Sequence, residues 1–276
     1  MQVHRSIQSL RAALAGAPHV GFAPTMGNLH AGHASLMRTL RERSETVVAS
    51  VFVNRTQFGP NEDFDAYPRT FEADCATLEA AGVDHLFAPD EAELYPTPQQ
   101  YFMLPAPAQD NLLEGALRPG HFRGVTTVVS KLFNIVQPAI AAFGKKDYQQ
   151  LMVIRNMVRE MNFPIDIIGC EIVRAEDGLA LSSRNGYLST DERAEAPRLH
   201  QTLLQVVASV HTGRTDYAAL EDEACAKLGS HGWQPDYITI RRQADLQLPQ
   251  QPGEKRVILA AARLGRTRLI DNIEID

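Results

Sequence analysis

Short apolar runs alternate with segments of helical periodicity through the first 175 residues of the chain. Thr46–Val53 is rich in β-branched residues and almost wholly apolar, which is typical of a strand buried on both faces. Further strands are predicted at Val20–Ala23, Val83–Ala88, Ala139–Phe143 and Ile165–Ile172. Strands that alternate with helices in this way predict βαβ units, and therefore a parallel sheet with helices on both faces.

The helices between these strands are predicted from apolar positions three and four residues apart. We expect an amphipathic first helix over residues 2–14, because Ile7, Leu10 and Leu14 recur at helical spacing. Gly82 stands just after the third predicted helix, at a position that favours glycine. The other helices are predicted at Gly32–Arg43, Glu72–Ala81, Val125–Val136 and Asp147–Met161.

The order of predicted elements changes after Arg184: strands and helices no longer alternate, and helices are followed by strands. Ser189 and Glu192 have the spacing of a capping box at the start of a long helix. The elements of this part are predicted at Asp191–His211, Tyr217–Gly229, Tyr237–Arg241, Arg256–Ala262 and Leu269–Ile275. The pattern therefore predicts an α/β fold, with a Rossmann-like parallel-sheet domain over residues 1–175 and a smaller α+β lid domain over residues 176–276.

Composition and charge exclude several classes of protein. The 276 residues are 44% hydrophobic and 22% charged, as in ordinary globular proteins. Acidic residues outnumber basic ones by 33 to 27, so the extended basic surface of a nucleic-acid-binding protein is not expected. The most apolar stretch, Val125–Phe143, contains polar residues and Pro138, so no membrane span is expected. Three scattered cysteines indicate reduced thiols and a cytoplasmic protein.

The segment most informative about chemistry is PTMGNLHAGH at residues 24–33, between a predicted buried strand and a helix. Ligands of open α/β sheets bind at the carboxyl ends of strands, and a helix N-terminus there attracts phosphate. His30 and His33 are three residues apart, so both can donate hydrogen bonds to the same phosphate groups. The segment has neither Walker nor GxGxxG spacing, and its HxGH pattern resembles that of the nucleotidyltransferase superfamily.

Three further segments carry polar side chains at predicted strand ends or at the predicted domain junction. FGKKDYQQ, at residues 143–150, carries Lys145 and Lys146, either of which could act as a point charge on phosphate, and Asp147, which could accept hydrogen bonds from ribose hydroxyls. LSSRN, at residues 181–185, combines two hydroxyls with the guanidinium of Arg184, as an anion-binding loop would. VNRTQFG, at residues 53–59, offers Gln57, whose amide could orient a small substrate that carries hydroxyl and carboxylate groups.

In this order and at these spacings, PTMGNLHAGH, FVNRTQFGPNEDFDAYPRT, FGKKDYQQL and DGLALSSRNGYL resemble the pantothenate synthetase (pantoate–β-alanine ligase) family. The resemblance covers about residues 20–190. It implies a cytoplasmic homodimer that condenses (R)-pantoate with β-alanine and splits ATP, accompanied by Mg²⁺, to AMP and pyrophosphate. It also implies that a pantoyl adenylate forms first and that the amine of β-alanine then attacks it.

The same resemblance implies roles for individual residues. ATP would be bound by Met26, Gly27, Asn28, Leu29, His30, Ala31, Gly32, His33, Gly144, Lys145, Lys146, Asp147, Val173, Leu181, Ser182, Ser183 and Arg184. Gln57 would contact both pantoate and β-alanine, and Gln150 would contact pantoate. The residues expected to act in catalysis are His33, His30, Lys146 and Arg184. No protein ligand of Mg²⁺ is predicted, because ATP oxygens and water can hold that ion.

Two positions depart from the residues that are usual in the family. Leu181 stands where methionine is common, and Lys145 stands where an acidic residue is common. Both positions can act through the main chain, so we expect these changes to affect affinity more than function. In the nucleotidyltransferase superfamily a KMSKS loop occupies the place of LSSRN and closes on the triphosphate, so the resemblance implies that LSSRN is the closing loop. It lacks the lysines of KMSKS, which leaves Arg184 as its cation.

Three other functions stay open on the sequence alone. A different nucleotidyltransferase of the same fold would transfer AMP to a phosphate rather than to a carboxylate. A truncated tRNA-synthetase-like protein would be expected to carry an anticodon-binding domain, which the chain does not obviously contain. A non-catalytic nucleotide-binding module would leave the two histidines and Arg184 without a chemical role.

Overall fold

The computed structural model describes residues 1–60, 62–251 and 253–276. The chain forms two compact units, the first of Met1–Lys145 with Gln149–Glu171 and the second of Lys146–Tyr148 with Ile172–Asp276. A three-residue segment therefore belongs with the C-terminal part of the chain, although the residues on both sides of it belong with the N-terminal part. The limits predicted for the two domains stay a prediction.

Among the described residues, the first unit contains a six-stranded parallel sheet in the order β1-β4-β3-β2-β5-β6. Its strands are β1 Gln2–His4, β2 Val20–Thr25, β3 Thr46–Val51, β4 His85–Phe87, β5 Ile140–Gly144 and β6 Asp166–Cys170. The chain builds β2, β3 and β4 to one side and then crosses to β5 on the other side of β2. Strand order therefore reverses between β2 and β5, and ligands bind at such a point beyond the carboxyl ends of the strands. This topology confirms the predicted Rossmann-like fold.

Helices pack two apolar clusters against opposite faces of this sheet. The helices in this part of the chain are α1 Ile7–Leu14, α2 Ala31–Arg41, α3 Phe71–Ala80, α4 Glu91–Leu94, α5 Pro107–Asp110, α6 Leu113–Leu117, α7 His121–Val136 and α8 Tyr148–Glu160. Phe22 lies in the cluster that includes α1, α7 and α8, where its ring centroid is 6.4 Å from that of Phe133. Ala23, the next residue, lies in the cluster with α2 and α3, as the alternation of side chains along a strand requires.

The prediction of one amphipathic helix over residues 2–14 is wrong in its first part. Gln2–His4 forms edge strand β1, in which Val3 pairs with Leu86 of β4. The helix begins only at Ile7, after Ser6, whose hydroxyl accepts a hydrogen bond from the main-chain N–H of Ser9 at 3.2 Å. Pairing with a distant strand thus overrides the local helical pattern, which no short window of sequence can reveal.

The second unit, as far as it is described, contains a three-stranded antiparallel sheet in the order β7-β8-β9. Its strands are β7 Trp233–Arg242, β8 Arg256–Leu264 and β9 Thr267–Ile275, and its helices are α9 Thr190–Glu195, α10 Arg198–His211 and α11 Tyr217–Gly229. Alternate residues of the sheet, such as Ile258, Ala260 and Leu269, pack with Leu203 of α10 and Leu228 of α11. This arrangement confirms the smaller α+β part of the predicted fold.

Helix ends follow the sequence signals in two cases and depart from the prediction in a third. Gly82 has a φ of +82° after α3, and Ser189 and Glu192 form the predicted capping box. The single helix predicted over Asp191–His211 is wrong, because α9 and α10 are separate helices on either side of Pro197. Proline has no N–H with which to continue the hydrogen bonding of α9. No helix in the described part of the chain is long and apolar enough to cross a membrane.

Candidate active site

The turn between β2 and α2 has a main-chain conformation that requires glycine. Gly27 has a φ of +83°, and Asn28 follows with a φ of +50°. A Cβ atom on Gly27 would lie 2.9 Å from Oδ2 of Asp74 and 3.1 Å from Cγ1 of Val51. The hydroxyl of Thr25 accepts a hydrogen bond from the Gly27 N–H at 3.3 Å. The turn is therefore packed closely against the carboxyl edge of the sheet.

The buried carboxylate of Asp74, in α3, holds this turn. It accepts hydrogen bonds from the main-chain N–H groups of Asn28 at 3.0 Å and Leu29 at 2.8 Å. The hydroxyl of Thr70 donates a third hydrogen bond at 3.1 Å, and Asp74 is only 2% exposed. Charge-assisted hydrogen bonds of this kind are stronger than neutral ones. Asp74 therefore ties the turn that precedes α2 to a helix elsewhere in the first unit.

His30 and His33 cap the N-terminus of α2 with their rings. Nδ1 of His30 accepts a hydrogen bond from the Gly32 N–H at 3.1 Å, and Nδ1 of His33 accepts one from the His30 N–H at 3.3 Å. Their ring centroids lie 4.1 Å apart. A ring nitrogen that accepts a hydrogen bond carries no proton, so each neutral ring carries its proton on Nε2. The local structure thus makes Nε2 of both histidines a hydrogen-bond donor.

Gln57 lies beside this turn, at the end of the short 3₁₀ helix Arg55–Gln57. Its Oε1 accepts a hydrogen bond from Nδ2 of Asn54 at 2.9 Å, and its Nε2 lies 3.4 Å from Sδ of Met26. Because Asn54 occupies the carbonyl end of the amide, the NH₂ end faces Met26. The structure therefore brings together two residues of the predicted site, Gln57 and Met26.

Asn54 is buried, with 1% of its surface exposed, and each end of its amide is hydrogen bonded. Besides Gln57, its NH₂ group donates to the carbonyl of Gly124 at 3.2 Å. Its Oδ1 accepts hydrogen bonds from the hydroxyls of Thr56 and Tyr95, both at 2.9 Å. Since these partners come from three parts of the chain, the orientation of the Asn54 amide is fixed, and so is that of Gln57.

A second set of contacts holds the main chain of Gln57. Nδ1 of His121 lies 2.9 Å from the carbonyl oxygen of Gln57, and its Nε2 lies 3.1 Å from Nη1 of Arg118. Because the guanidinium can only donate, Nε2 accepts, and the proton on Nδ1 is donated to Gln57. Arg118 in turn donates two hydrogen bonds to Glu62, each 2.6 Å long.

Burial and charge keep His121 neutral. Burial lowers the pKa of His121 to about 4, and the positive charge of Arg118 acts in the same direction. The pKa of Glu62 lies below its ordinary value: burial raises it, but the hydrogen bonds and charge of Arg118 outweigh that effect. The chain Glu62–Arg118–His121 therefore donates a defined proton to the main chain of a predicted substrate-binding residue.

In the second unit, main-chain contacts order the predicted closing loop. The Leu181 N–H donates to the Val173 carbonyl at 3.0 Å, so these two predicted ATP-binding residues are adjacent. The hydroxyl of Ser182 accepts from the Arg184 N–H at 3.3 Å and caps a short 3₁₀ helix, Ser183–Tyr187. A small pocket in this unit is lined by both Ser182 and Lys146. The structure thus brings the predicted phosphate lysine close to the predicted loop.

The predicted site residues are divided between the two units. The first unit contains Met26, Gly27, Asn28, Leu29, His30, Ala31, Gly32, His33, Gln57, Gly144, Lys145 and Gln150. The second contains Lys146, Asp147, Val173, Leu181, Ser182, Ser183 and Arg184. Within the first unit, Nζ of Lys145 forms an ion pair with Glu171 at 2.5 Å. The ligand-binding roles of all these residues stay predictions.

Several residues of the candidate site carry no motif that sequence reasoning could use. Asp74 is an acidic residue in the first turn of a helix, where acidic residues are common for other reasons. His121 and Arg118 contact residues 64 and 56 positions away in the sequence. Asn54 and Glu62 lie within the quoted motif FVNRTQFGPNEDFDAYPRT without a role assigned to them. Asn61 of the same motif lies outside the described residues.

The described side chains show no metal centre of their own. No group of three or more His, Cys, Asp or Glu side chains within residues 1–60, 62–251 and 253–276 is arranged to hold a metal ion. A metal centre built by the protein normally needs three or four such ligands.

Fold and site together define a class: a Rossmann-like α/β protein with a capped helix N-terminus and placed donors at the edge of its sheet. A family model, Pantoate-beta-alanine ligase, matches residues 2–274. The chain therefore belongs to the pantoate–β-alanine ligase family, and it is an enzyme of the ligase class. This relationship decides against the three other functions that the sequence left open.

Individual relatives agree with the family over the full length of the chain. The pantothenate synthetase of Chromobacterium violaceum is 59% identical over 276 residues, which are 100% of this chain and 99% of that protein. The crystal structure of pantothenate synthetase from Thermus thermophilus has a TM-score of 0.95 at 45% identity, covering 99% of both chains. That of pantoate-beta-alanine ligase from Francisella tularensis, complexed with beta-gamma ATP and beta-alanine, has a TM-score of 0.80 at 33% identity and covers 99% and 97% of the two chains.

We expect Asp74→Asn to lower the free energy of unfolding by about 1–3 kcal/mol. The NH₂ group of the new asparagine would face one of the two main-chain N–H groups, which would then have lost its acceptor. Urea unfolding measures this loss. Asp90→Asn is the matched control, since exposed Asp90 accepts a single N–H, that of Glu93, at 2.9 Å. Asparagine caps a helix as well as aspartate does, so the control should stay within about 0.5 kcal/mol of wild type. Equal losses in both variants would contradict the role of Asp74.

Stability should depend on pH through His121. In the unfolded chain the ring of His121 becomes protonated as pH falls through about 6.5. In the folded chain the same ring becomes protonated only as pH falls through about 4. Its contribution to the free energy of unfolding is therefore complete above pH 6.5 and falls, by up to about 3 kcal/mol, as pH drops towards 4. Urea unfolding at several pH values should show a steeper loss for wild type than for His121→Gln. If the free energy of unfolding fell equally with pH in wild type and in His121→Gln, the prediction would be wrong.

Proposed function

We propose that this protein condenses (R)-pantoate with β-alanine to give pantothenate, splitting ATP to AMP and pyrophosphate through a bound pantoyl adenylate. The observation that carries the proposal is the pair of Nε2 donors at the N-terminus of α2, at the point where strand order reverses. Family membership and the ATP and β-alanine named for the Francisella tularensis structure support the same reaction.

The first step joins two anions, and positive charge and hydrogen-bond donors must therefore offset their repulsion. A carboxylate oxygen of pantoate attacks the α-phosphorus of ATP, and the bond to the pyrophosphate oxygen breaks. Nε2 of His30 and of His33 donates to phosphate oxygens at the positive end of the α2 helix dipole. Lys146 and Arg184 add full positive charges. Positioning and charge stabilisation then account for most of the rate increase.

ATP is bound by main-chain and side-chain groups of the predicted segments. The residues proposed for this role are Met26, Gly27, Asn28, Leu29, His30, Ala31, Gly32, His33, Gly144, Lys145, Lys146, Asp147, Val173, Leu181, Ser182, Ser183 and Arg184. Magnesium enters as part of the MgATP substrate, with phosphate oxygens and water as its ligands.

In the second step the amine of β-alanine attacks the acyl carbon of the adenylate, and AMP leaves. Gln57 orients pantoate and β-alanine, and Gln150 orients pantoate. The fixed direction of the Gln57 amide supports this role, because a donor that is already oriented loses little freedom when the substrate binds. The homodimer and the cytoplasmic location implied by the family resemblance stay predictions.

Isotope exchange between pyrophosphate and ATP tests the adenylate route. We expect the purified protein to catalyse exchange with pantoate and Mg²⁺ present and β-alanine absent, because the first step is then complete and reversible. Release of AMP in many turnovers should require β-alanine as well. AMP release that needs both acids without any exchange under pantoate alone would contradict the adenylate intermediate. AMP release that depends on neither acid would contradict the proposed reaction.

Variants of His33 separate hydrogen-bond donation from proton transfer. His33→Gln places an amide near the position of Nε2, so it keeps a donor that cannot transfer a proton. His33→Asn keeps an acceptor near the position of Nδ1, and His33→Ala removes both. We expect single-turnover formation of pantoyl adenylate to slow by about 10²–10³-fold in His33→Ala, as when a transition-state donor is removed. The glutamine variant should form pantoyl adenylate at least about tenfold faster than the alanine variant.

Two results at His33 would overturn parts of this view. Near-normal adenylate formation in His33→Ala would mean that His33 contributes little to the first step. A glutamine variant as slow as the alanine variant, with the asparagine variant equally slow, would point to proton transfer instead of hydrogen bonding. His33→Asn serves as the control for the helix cap, because it retains the acceptor for the His30 N–H.

A further inference from the structure

The segment Lys146–Tyr148 is held by the last strand of the chain. It follows β5 directly in sequence, yet its contacts group it with the second unit. Nδ2 of Asn272 donates a hydrogen bond to the carbonyl oxygen of Lys146 at 3.0 Å. The hydroxyl of Tyr148 donates to Oε1 of Glu274 at 2.9 Å. Two residues of β9 thus anchor both ends of this segment.

The position of these two residues on β9 explains why they are available for this contact. Side chains two residues apart on a strand point to the same face, so Asn272 and Glu274 share one face of β9. Leu269 and Ile275, at odd-numbered positions, lie in the apolar core of the second unit, on the opposite face. The face of β9 that does not build this core therefore carries the anchors.

Asn272 is itself held rigidly. Its main-chain N–H donates to Oδ1 of Asp271 at 2.8 Å, and it pairs with Leu259 of β8, the central strand of the sheet. Asp271, 3% exposed, receives two hydrogen bonds from Arg174, at 2.7 and 2.8 Å. Asn272 is 4% exposed, so water cannot readily replace its bond to Lys146. The carbonyl of Lys146 is thus attached to a fixed point of the sheet.

We propose that Asn272 is a positioning residue for Lys146, and that the bond between Tyr148 and Glu274 is a second anchor of the same kind. The inference rests on the phosphate-binding role proposed for Lys146. A lysine carries a point charge on a long flexible side chain, so its main-chain attachment decides where the charge can reach. Catalysis depends steeply on such placement, since an error of about 1 Å can cost about 10²-fold in rate. Asn272 keeps the lysine beside Ser182, which lines the same pocket.

A double-mutant cycle between Asn272→Ala and Lys146→Ala tests the proposal. We expect Asn272→Ala to slow pyrophosphate exchange about 10- to 100-fold, mainly through kcat. In the Lys146→Ala background the same substitution should change the rate by no more than about twofold, because it acts through the lysine. A purely structural role would instead slow both backgrounds by the same factor, and that result would overturn the proposal.

Two further variants complete the test, one as a second cycle in case Asn272→Ala does not fold and one as a control. Tyr148→Phe removes only a hydroxyl, and we expect a smaller loss of rate that likewise disappears in the Lys146→Ala background. If Asn272→Ala does not fold, this second cycle decides the question by the same criterion. Gln243→Ala is the matched control, because the Gln243 amide also donates to a main-chain carbonyl of the second unit, that of Arg256, at 2.9 Å. Its exchange rate should equal that of wild type, and a comparable loss there would also overturn the proposal.

The cycle separates the failure of this inference from the failure of the proposed function. If Lys146→Ala exchanges pyrophosphate at the wild-type rate, the role of Lys146 is wrong and the positioning role falls with it. If Lys146→Ala is slow but Asn272→Ala exchanges like wild type, the lysine acts as proposed and only the positioning role is wrong. Unfolding curves of each variant show whether a slow rate reflects a folded protein.

Discussion

The hydrogen bonds from the Asn28 and Leu29 N–H groups to the buried carboxylate of Asp74 are the interaction on which the candidate site depends. They hold a turn with two left-handed residues against the end of β2 and so decide where α2 begins. Because α2 begins there, the rings of His30 and His33 can cap its N-terminus through Nδ1 and present Nε2 as donors. The carboxylate of Asp74, through the turn that it holds, thus decides what those rings can do.

The same arrangement recurs at two other predicted site residues. His121 donates to the carbonyl of Gln57, and Asn272 donates to the carbonyl of Lys146. In all three cases a buried polar side chain holds the main chain of a residue of the predicted site. Burial strengthens each of these bonds and makes the loss of either partner costly. Rigid main-chain anchors of this kind suit the proposed reaction, which brings two anions together and tolerates little misplacement.

Much of the fold and of the candidate chemistry could be predicted from the sequence. Thr46–Val53 reveals a buried strand because parallel strands covered on both faces need apolar side chains at nearly every position. Gly82 and the Ser189–Glu192 box mark helix ends because those signals act within a few residues. The prediction failed at residues 2–14, where pairing with a distant strand decides the structure. It also failed in the helix over Asp191–His211, which is divided at Pro197, although proline is a local signal.

By itself the sequence determined most of the order of strands and helices and the segments that carry the candidate chemistry, because both depend on residues close together along the chain. The tertiary structure decided which side chains hold those segments: Asp74 for the turn before α2, His121 for Gln57, and Asn272 for Lys146. These partners lie 46, 64 and 126 residues apart in sequence. A hydrogen bond needs its two groups within about 3 Å, and only the folded chain brings such distant residues that close.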